Sequence, residues 1–336
     1  MGTSFFYFNK FQFQYRKALT AFPFLCAMSE HAIRKGYYAL IIISFFWGTT
    51  WFVSKLTIPF IPPLQMTSMR QTLAGIIMIG YFGLRKGHWP RPKQLIFHAI
   101  VGFLLISCSN GMTTWAISYI PSFLGALISC LMPFVLILAN RILFGEQVQT
   151  RLYLALAVGF SGVSILLSSF AEEMKGDHFL FGIMLSLLSV FTWTGGTLIS
   201  TKSKMNVNPY EGIGWQMLFG GIFLFIGSRI TGQHVPLHTI PLKAWLLFLY
   251  LTAFGSIICF ICYLYALKTL PMGLVSIYVY VNPIVAMLLG ALFLDEKIST
   301  RIVLGIIVTF IGIFFVRRFS KTKPKVAEEE PAFIAD

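Results

Sequence analysis

Charge is scarce in this sequence: 11% of its 336 residues are Asp, Glu, Lys or Arg, where a soluble domain carries about 25%. That shortage excludes intrinsic disorder for the body of the chain and argues against a soluble globular enzyme. Acidic residues are the rarer sign, 12 against 26 basic ones, and no Asp, Glu or His lies deep in an apolar run; His98 sits near the end of one. GxxxxGK[ST] and HExxH motifs are both missing, which speaks against nucleotide-driven work and metalloprotease chemistry. No cofactor and no metal is expected. The cysteines (Cys26, Cys108, Cys130, Cys259, Cys262) are odd in number and mostly inside apolar segments, so they imply no disulfide framework. Cys259 and Cys262 form a CxxC on an apolar helix without a nearby histidine, and read as packing.

Apolar residues fill the space that charge leaves. They make up 57% of the chain, with a mean hydropathy of +0.77; at about 20 per span this could furnish roughly eight to ten transmembrane helices. Runs bounded by charge, Pro or Gly predict ten spans, near 37–57, 63–84, 94–117, 121–143, 151–169, 179–200, 210–230, 243–267, 272–294 and 299–317. Alternating ten-residue segments of the kind that build membrane barrels do not occur. The expected fold class is therefore an all-α integral membrane protein with ten transmembrane helices. The net charge of +14 does not indicate nucleic acid, because most of the charge sits in short loops and tails.

Those loops also orient the chain. With the N-terminus in the cytoplasm, 19 Lys and Arg fall inside and five outside, which argues for both termini inside and a multi-pass cytoplasmic-membrane location. Residues 1–36 do not read as a span. Ala18 to Met28 is a short, Pro-broken apolar stretch with the look of a signal-peptide core, or else Met28 is the true start and the preceding codons are over-annotated. The tail at 319–336, Lys-rich and then acidic at Glu328–Glu330, reads as a cytoplasmic end.

Shifting the chain by 150 residues lays 116–164 over 266–314 without a gap and gives 13 identities in 49 positions. Pro121/Pro271, Pro133/Pro283, Glu146/Glu296 and Arg151/Arg301 are among them. At a shift of 146, Phe45/Phe191, Trp47/Trp193 and Ser54/Ser200 pair as well. The chain thus divides into halves, 37–170 and 178–318, of five predicted spans each. Because five is odd, the second half enters the bilayer from the opposite side, and the two become inverted repeats, the arrangement of many secondary transporters.

Particular residues sharpen this. Phe46-Trp47-Gly48-Thr49 with Lys55, Arg70-Gln71-Thr72-Leu73-Ala74, and Ala116, Pro121, Pro133 and Gly145-Glu146 resemble the EamA-type transporters of the drug/metabolite transporter superfamily. The second half closes the same way, with Ala266, Pro271, Asn282-Pro283 and Asp295-Glu296. The likeness covers roughly 37–318. It implies ten helices in two EamA repeats and export or facilitated passage of amino acids, other metabolites or drugs. One departure is Asp295 where the first half has Gly145, which puts the equivalence of the two turns in question.

Candidate substrate-binding residues follow from polar and aromatic faces at bilayer depth: Trp47 and Trp51 in the first span, Asn110 and Thr114 in the third, Trp193 in the sixth, and Tyr278, Tyr280 and Asn282 in the ninth. Ser276 extends the last of these faces. The bland reading of each is helix packing or the interfacial belt. Arg70, about 10 Å into the second span at 1.5 Å per residue, either binds an anionic group such as a carboxylate or snorkels outward; Lys55 reads as a snorkelling residue. Pro133 and Pro283 are expected mid-helix, freeing the carbonyls of Ser129 and Val279 and acting as hinges, or else as static kinks. Glu146 and Glu296 are expected as structural turns beside helix N-termini, with Thr150 and Thr300 as N-caps.

The reading that unites these is a carrier exporting small amphipathic metabolites across the cytoplasmic membrane by alternating access. The missing intramembrane acid favours an uncoupled facilitator. The partners are a small-molecule substrate and membrane lipid; the residues speak equally for a monomer and a homodimer. Lipid-linked or lipid-like substrates are the alternative within transport. An integral-membrane lipid enzyme is the alternative outside it, and would need a cluster of acidic or histidine side chains at one face.

Overall fold

The computed structural model describes residues 30–83, 89–145, 150–171, 176–203, 208–275 and 277–319. The N-terminal segment, the C-terminal tail, Glu146 and Ser276 lie outside the described residues. The helices are α1 (Glu30–Thr57), α2 (Pro63–Gly83), α3 (Pro92–Ala116), α4 (Ser122–Ser129), α5 (Met132–Phe144), α6 (Thr150–Leu167), α7 (Asp177–Lys202), α8 (Pro209–Ile230), α9 (Leu242–Thr269), α10 (Met272–Val275), α11 (Tyr278–Phe293) and α12 (Thr300–Phe319). Among the described residues there is no strand. Among those same residues, seven helical stretches of 21 to 28 residues are long and apolar enough to cross a membrane, and Tyr278–Phe293 and Thr300–Val316 are shorter apolar helices.

Several helix starts follow from local chemistry. Proline stands in the first turn of α3, α5 and α8, where its missing N–H costs nothing, and Asn208 caps α8 by accepting from Tyr210 N at 3.0 Å. Ser299 Oγ accepts from Ile302 N at 3.3 Å, so the cap of α12 is Ser299 and not the expected Thr300. Pro133 is also corrected. It does not bend a continuous helix; α4 ends at Ser129 and α5 restarts at Met132 with Pro133 in its first turn. A ring that would collide with the Ser129 carbonyl is accommodated by ending the helix before it. Pro283 does lie inside α11.

The chain forms two compact units. The first comprises Met1–Cys130 and Glu173–Lys297. Its core clusters gather Ile43, Cys259 and Val275, then Val53, Ile61, Met66 and Leu251, then Ala74, Met78, Ile106 and Met217. Here α2 and α8 touch backbone to backbone: a Cβ on Gly75 would stand 2.6 Å from Leu218 N and 2.8 Å from Gly214 O, and one on Gly221 would stand 2.7 Å from Thr72 N and 3.1 Å from Ser68 O. At the 146-residue shift Gly75 corresponds to Gly221, Thr72 to Leu218 and Ser68 to Gly214, so the same contact is made twice with the halves exchanging roles. Gly36 against Thr269 and Leu270, and Gly182 against Tyr119 and Ile120, form a second exchanged pair.

The second unit comprises Leu131–Glu172 and Ile298–Asp336, and α6 and α12 are its packed pair. A Cβ on Gly162 would stand 2.3 Å from Thr309 N and 2.8 Å from Gly305 O, and one on Gly312 would stand 2.4 Å from the Gly159 backbone and 3.0 Å from Ala155 O. At the 150-residue shift these too are one contact with the roles swapped. Such approach is how helices associate where lipid removes any hydrophobic advantage of side-chain burial.

Gly162→Ala is therefore expected to destabilise the protein by about 1–3 kcal/mol, the usual cost of overpacking, while Gly195→Ala, which nothing approaches within 4 Å, stays near neutral. Thermal unfolding of the two variants in detergent checks the contrast.

Candidate functional site

The site is built in the first unit from α1, α2, α3, α9 and α11. Two of these helices carry a π-helical stretch at corresponding places, Phe103–Asn110 in α3 and Leu251–Ile258 in α9. Such turns shift side-chain register and loosen the backbone bonds, and they occur often at functional sites. Asn110 closes the first stretch and Gly255 lies in the second.

Arg70 on α2 is 5% exposed and does not snorkel. Its Nη2 donates to Asn110 Oδ1 at 2.6 Å, and Gln71 Nε2 reaches the same oxygen at 3.4 Å. Among the described residues no carboxylate pairs with the guanidinium. Arg70 Nε, Gln71 Oε1 and Ser256 Oγ are buried without a hydrogen-bond partner in the protein. Buried polar atoms are otherwise almost always satisfied, so a donor, an acceptor and a hydroxyl left over on α2 and α9 mark this locus.

On the adjoining face of α9 stands an aromatic cluster. Trp47 packs on Phe260, Tyr263 and Tyr278 with centroid distances of 5.3, 5.4 and 5.2 Å, and Tyr263 meets Tyr278 at 5.8 Å. Trp47 Nε1 donates to Gly255 O at 3.0 Å. A Cβ on Gly255 would stand 3.7 Å from Arg70 Nη1, so one turn of α9 joins the aromatic and guanidinium parts. Thr49 Oγ1 and the Tyr250 hydroxyl share a 2.6 Å hydrogen bond nearby.

The structure thus gathers Trp47, Arg70, Asn110 and Tyr278 of the expected residues. Asn282 is next to them but faces the α1–α11 contact: with its amide in the orientation its neighbours require, it donates to Ser44 O at 2.8 Å and Tyr278 O at 3.1 Å. Thr114 turns its hydroxyl to the Asn110 carbonyl at 2.9 Å. Trp51 lies half-buried over Gly125, and Tyr280 is half-buried on α11. Trp193 is half-buried on α7 and, among the described residues, makes no ring contact with the cluster. Phe260, Tyr263, Gly255 and Ser256 went unnoticed in the sequence, and Gln71 entered only through the family likeness and not as a site residue; the one signal for the tyrosine was Tyr263 and Tyr265 interrupting an apolar run.

Three further groups have partners that the sequence did not suggest. Lys55 is not a snorkelling residue, for its Nζ donates to the carbonyls of Ile117 and, at 2.8 Å, Ile120. Glu296 caps α4 rather than its own following helix, accepting from Ser122 N at 2.7 Å and Ser122 Oγ at 3.0 Å. The Val279 carbonyl freed by Pro283 receives Cys130 Sγ at 3.2 Å. The question over the two turns closes as well: Gly145 and Asp295 are both left-handed, at φ 66° and 55°.

Buried helices with a polar, aromatic interior define a multi-pass membrane protein built to hold a small solute. The EamA-like transporter family profile matches residues 34–168 and again 180–318. The chain belongs to the EamA-like transporter family, and so to the drug/metabolite transporter superfamily. It is 31% identical over 294 residues to the inner membrane transporter YedA of Escherichia coli (strain K12), spanning 86% of this chain and 94% of YedA. It is 26% identical over 276 residues to protein PecM of Dickeya dadantii, spanning 82% and 89%. A solved crystal structure at 16% identity, covering 88% of this chain and 99% of its own, shares the fold with a TM-score of 0.59. The protein is a membrane transporter with a small-molecule substrate, and not an enzyme.

Trp47→Ala is expected to lower flux about tenfold or more with normal membrane insertion, the scale on which a lost aromatic anchor acts. Trp193→Ala is expected to have the smaller effect. Transport by reconstituted vesicles, normalised to inserted protein, checks both.

Proposed function

We propose that the chain crosses the membrane ten times, with both termini in the cytoplasm, as two inverted five-helix repeats at 37–170 and 178–318. In this reading it exports small amphipathic metabolites by alternating access. Support for the repeat comes from the exchanged contacts within each unit, which twofold-related copies require, and from the odd span count of each half. Positive charge favours the cytoplasmic side for the termini.

The substrates we infer are solutes that join a carboxylate to an apolar or aromatic body, amino acids foremost, with drugs of that shape as a further group. One observation carries this: a buried guanidinium paired with a neutral amide rather than a carboxylate, one helical turn from an aromatic cluster. A carboxylate would supply the missing acceptor for Arg70 in a bidentate or charge-assisted bond, and rings would bury the substrate body. Trp47, Arg70, Asn110 and Tyr278 form the centre of this proposed site. Trp51, Thr114, Trp193, Tyr280 and Asn282 line or brace the same interior, and Pro283 and Pro133 mark where the helices give way during interconversion.

The test is flux in reconstituted vesicles over amino acids, their amides, nucleosides and cationic drugs, with and without a proton gradient. Arg70→Ala is expected to lower flux of carboxylated solutes about tenfold to a hundredfold, as loss of a buried charge-assisted bond does, and to spare the amides. Equal losses on both would assign Arg70 to structure and remove the carboxylate from the substrate description.

A further inference from the structure

We propose that Glu296, Ser122 and Lys55 form a clamp that holds the outer end of the carrier shut. We further propose that this clamp, whose side chains the duplicated half does not repeat in register, sets an outward-closed resting state that takes substrate from the cytoplasm. The inference rests on the ten-span topology proposed above, which puts these residues on the outer side.

The clamp grips one segment from both sides. The turn between α3 and α4 carries carbonyls at the end of one helix and N–H groups at the start of the next, and both kinds of group lack intrahelical partners. Lys55 brings a cation to the carbonyls of Ile117 and Ile120. Glu296 brings an anion to the N–H and hydroxyl of Ser122. Each charge meets the helix end whose dipole favours it, and each bond is charge-assisted. Through them α1 and α11 are tied to α3 and α4 at one end of the first unit.

The end of α11 is shaped to deliver the carboxylate. Asp295 adopts the left-handed conformation at φ 55°, uncommon for a residue with a side chain, and Glu296 N bonds back to Gly290 O at 3.2 Å. Glu296 then crosses Gly290 so closely that a Cβ there would stand 2.1 Å from Oε2. A larger residue there would push the carboxylate off its present line to Ser122.

The duplicated half does not reproduce this set. Gly145-Glu146 matches Asp295-Glu296, but Gly290 corresponds to Asn140, Ser122 to Met272 and Lys55 to Thr201. A side chain replaces the clearance, a thioether replaces the hydroxyl and a hydroxyl replaces the cation. Two near-equal halves would otherwise give inward-open and outward-open forms of similar energy. A clamp whose side chains one half supplies and the other does not repeat tips that balance, because a difference in contacts between two states is what shifts their populations.

The experiment uses Cys130, 2% exposed at the far end of α4, as a native reporter. The full chain is placed right-side-out in vesicles and treated from outside with a membrane-impermeant maleimide, and labelling of the Cys130 peptide is followed by mass spectrometry, with Cys130→Ser as blank. We expect slow labelling in the unsubstituted protein. Glu296→Gln, which keeps the shape of the side chain, and Lys55→Met should each raise it about fivefold or more, as loss of charge-assisted bonds shifts a two-state balance. Ser122→Ala, which keeps the backbone bond, should give a smaller rise. Labelling within twofold of the unsubstituted protein in both Glu296→Gln and Lys55→Met overturns the clamp. A separate His234→Cys variant, at an exposed position in the segment between α8 and α9, reports the topology: reaction from outside supports it, and reaction from the cytoplasmic side alone overturns the topology and the outer clamp together.

Discussion

Contact between helix backbones is the interaction on which this molecule depends. Inside a bilayer an apolar side chain gains nothing by leaving lipid for protein, so helices associate through close fit and hydrogen bonds. Gly75 and Gly221 bring α2 to α8, and Gly162 and Gly312 bring α6 to α12, at distances where a single methyl group has no room. Around these contacts hydroxyls turn to carbonyls of their own or facing helices. Thr57 donates to Val53 O at 2.7 Å and Thr252 to Phe248 O at 2.9 Å, while Ser68 donates across to Gly221 O at 2.9 Å. These hydroxyls thus add to helix packing while their own polar atoms stay satisfied in hydrocarbon.

Against that background the exceptions carry information. Arg70, Gln71 and Ser256 keep unsatisfied atoms at one locus, whereas the other buried side chains so placed among the described residues, Ser118, Ser186 and Trp215, stand beside or on α3, α7 and α8. The first three lie on α2 and α9, at the turn of α9 that also receives the Trp47 indole. A rigid shell of paired groups around a few unpaired ones lets a protein hold a ligand without deforming for it.

Much of this was legible before the structure. Apolar runs located the helices, the 150-residue shift aligned stretches that lie within the two segments the family profile matches, and the depth of Arg70 marked it as costly. What stayed hidden were partners. A sequence shows which face of a helix is polar but not which helix that face meets, so Glu296 was assigned to its own turn although it caps α4, and Lys55 to water although it binds α3. Pro133 was read as lying mid-helix because the surrounding run is uniformly apolar; only the backbone shows that one helix ends and another begins there. Tyr263 was invisible for the opposite reason. A tyrosine in an apolar stretch looks like packing until Trp47 and Tyr278 are found on either side of it.

The π-helical stretches at Phe103–Asn110 and Leu251–Ile258 have a consequence for how this chain tolerates change. A π turn holds one more residue than the α turn it replaces, so each stretch can lose one residue and return to ordinary winding while the helix beyond it keeps nearly its present facing. In an α-helical stretch the same loss would swing everything beyond it by roughly 100° about its axis, the angle one residue subtends. For α9 a deletion within Leu242–Tyr250 would carry Phe260 and Tyr263 away from Trp47. Tolerance of a single deletion therefore differs along one helix, and hydropathy alone does not reveal where it changes.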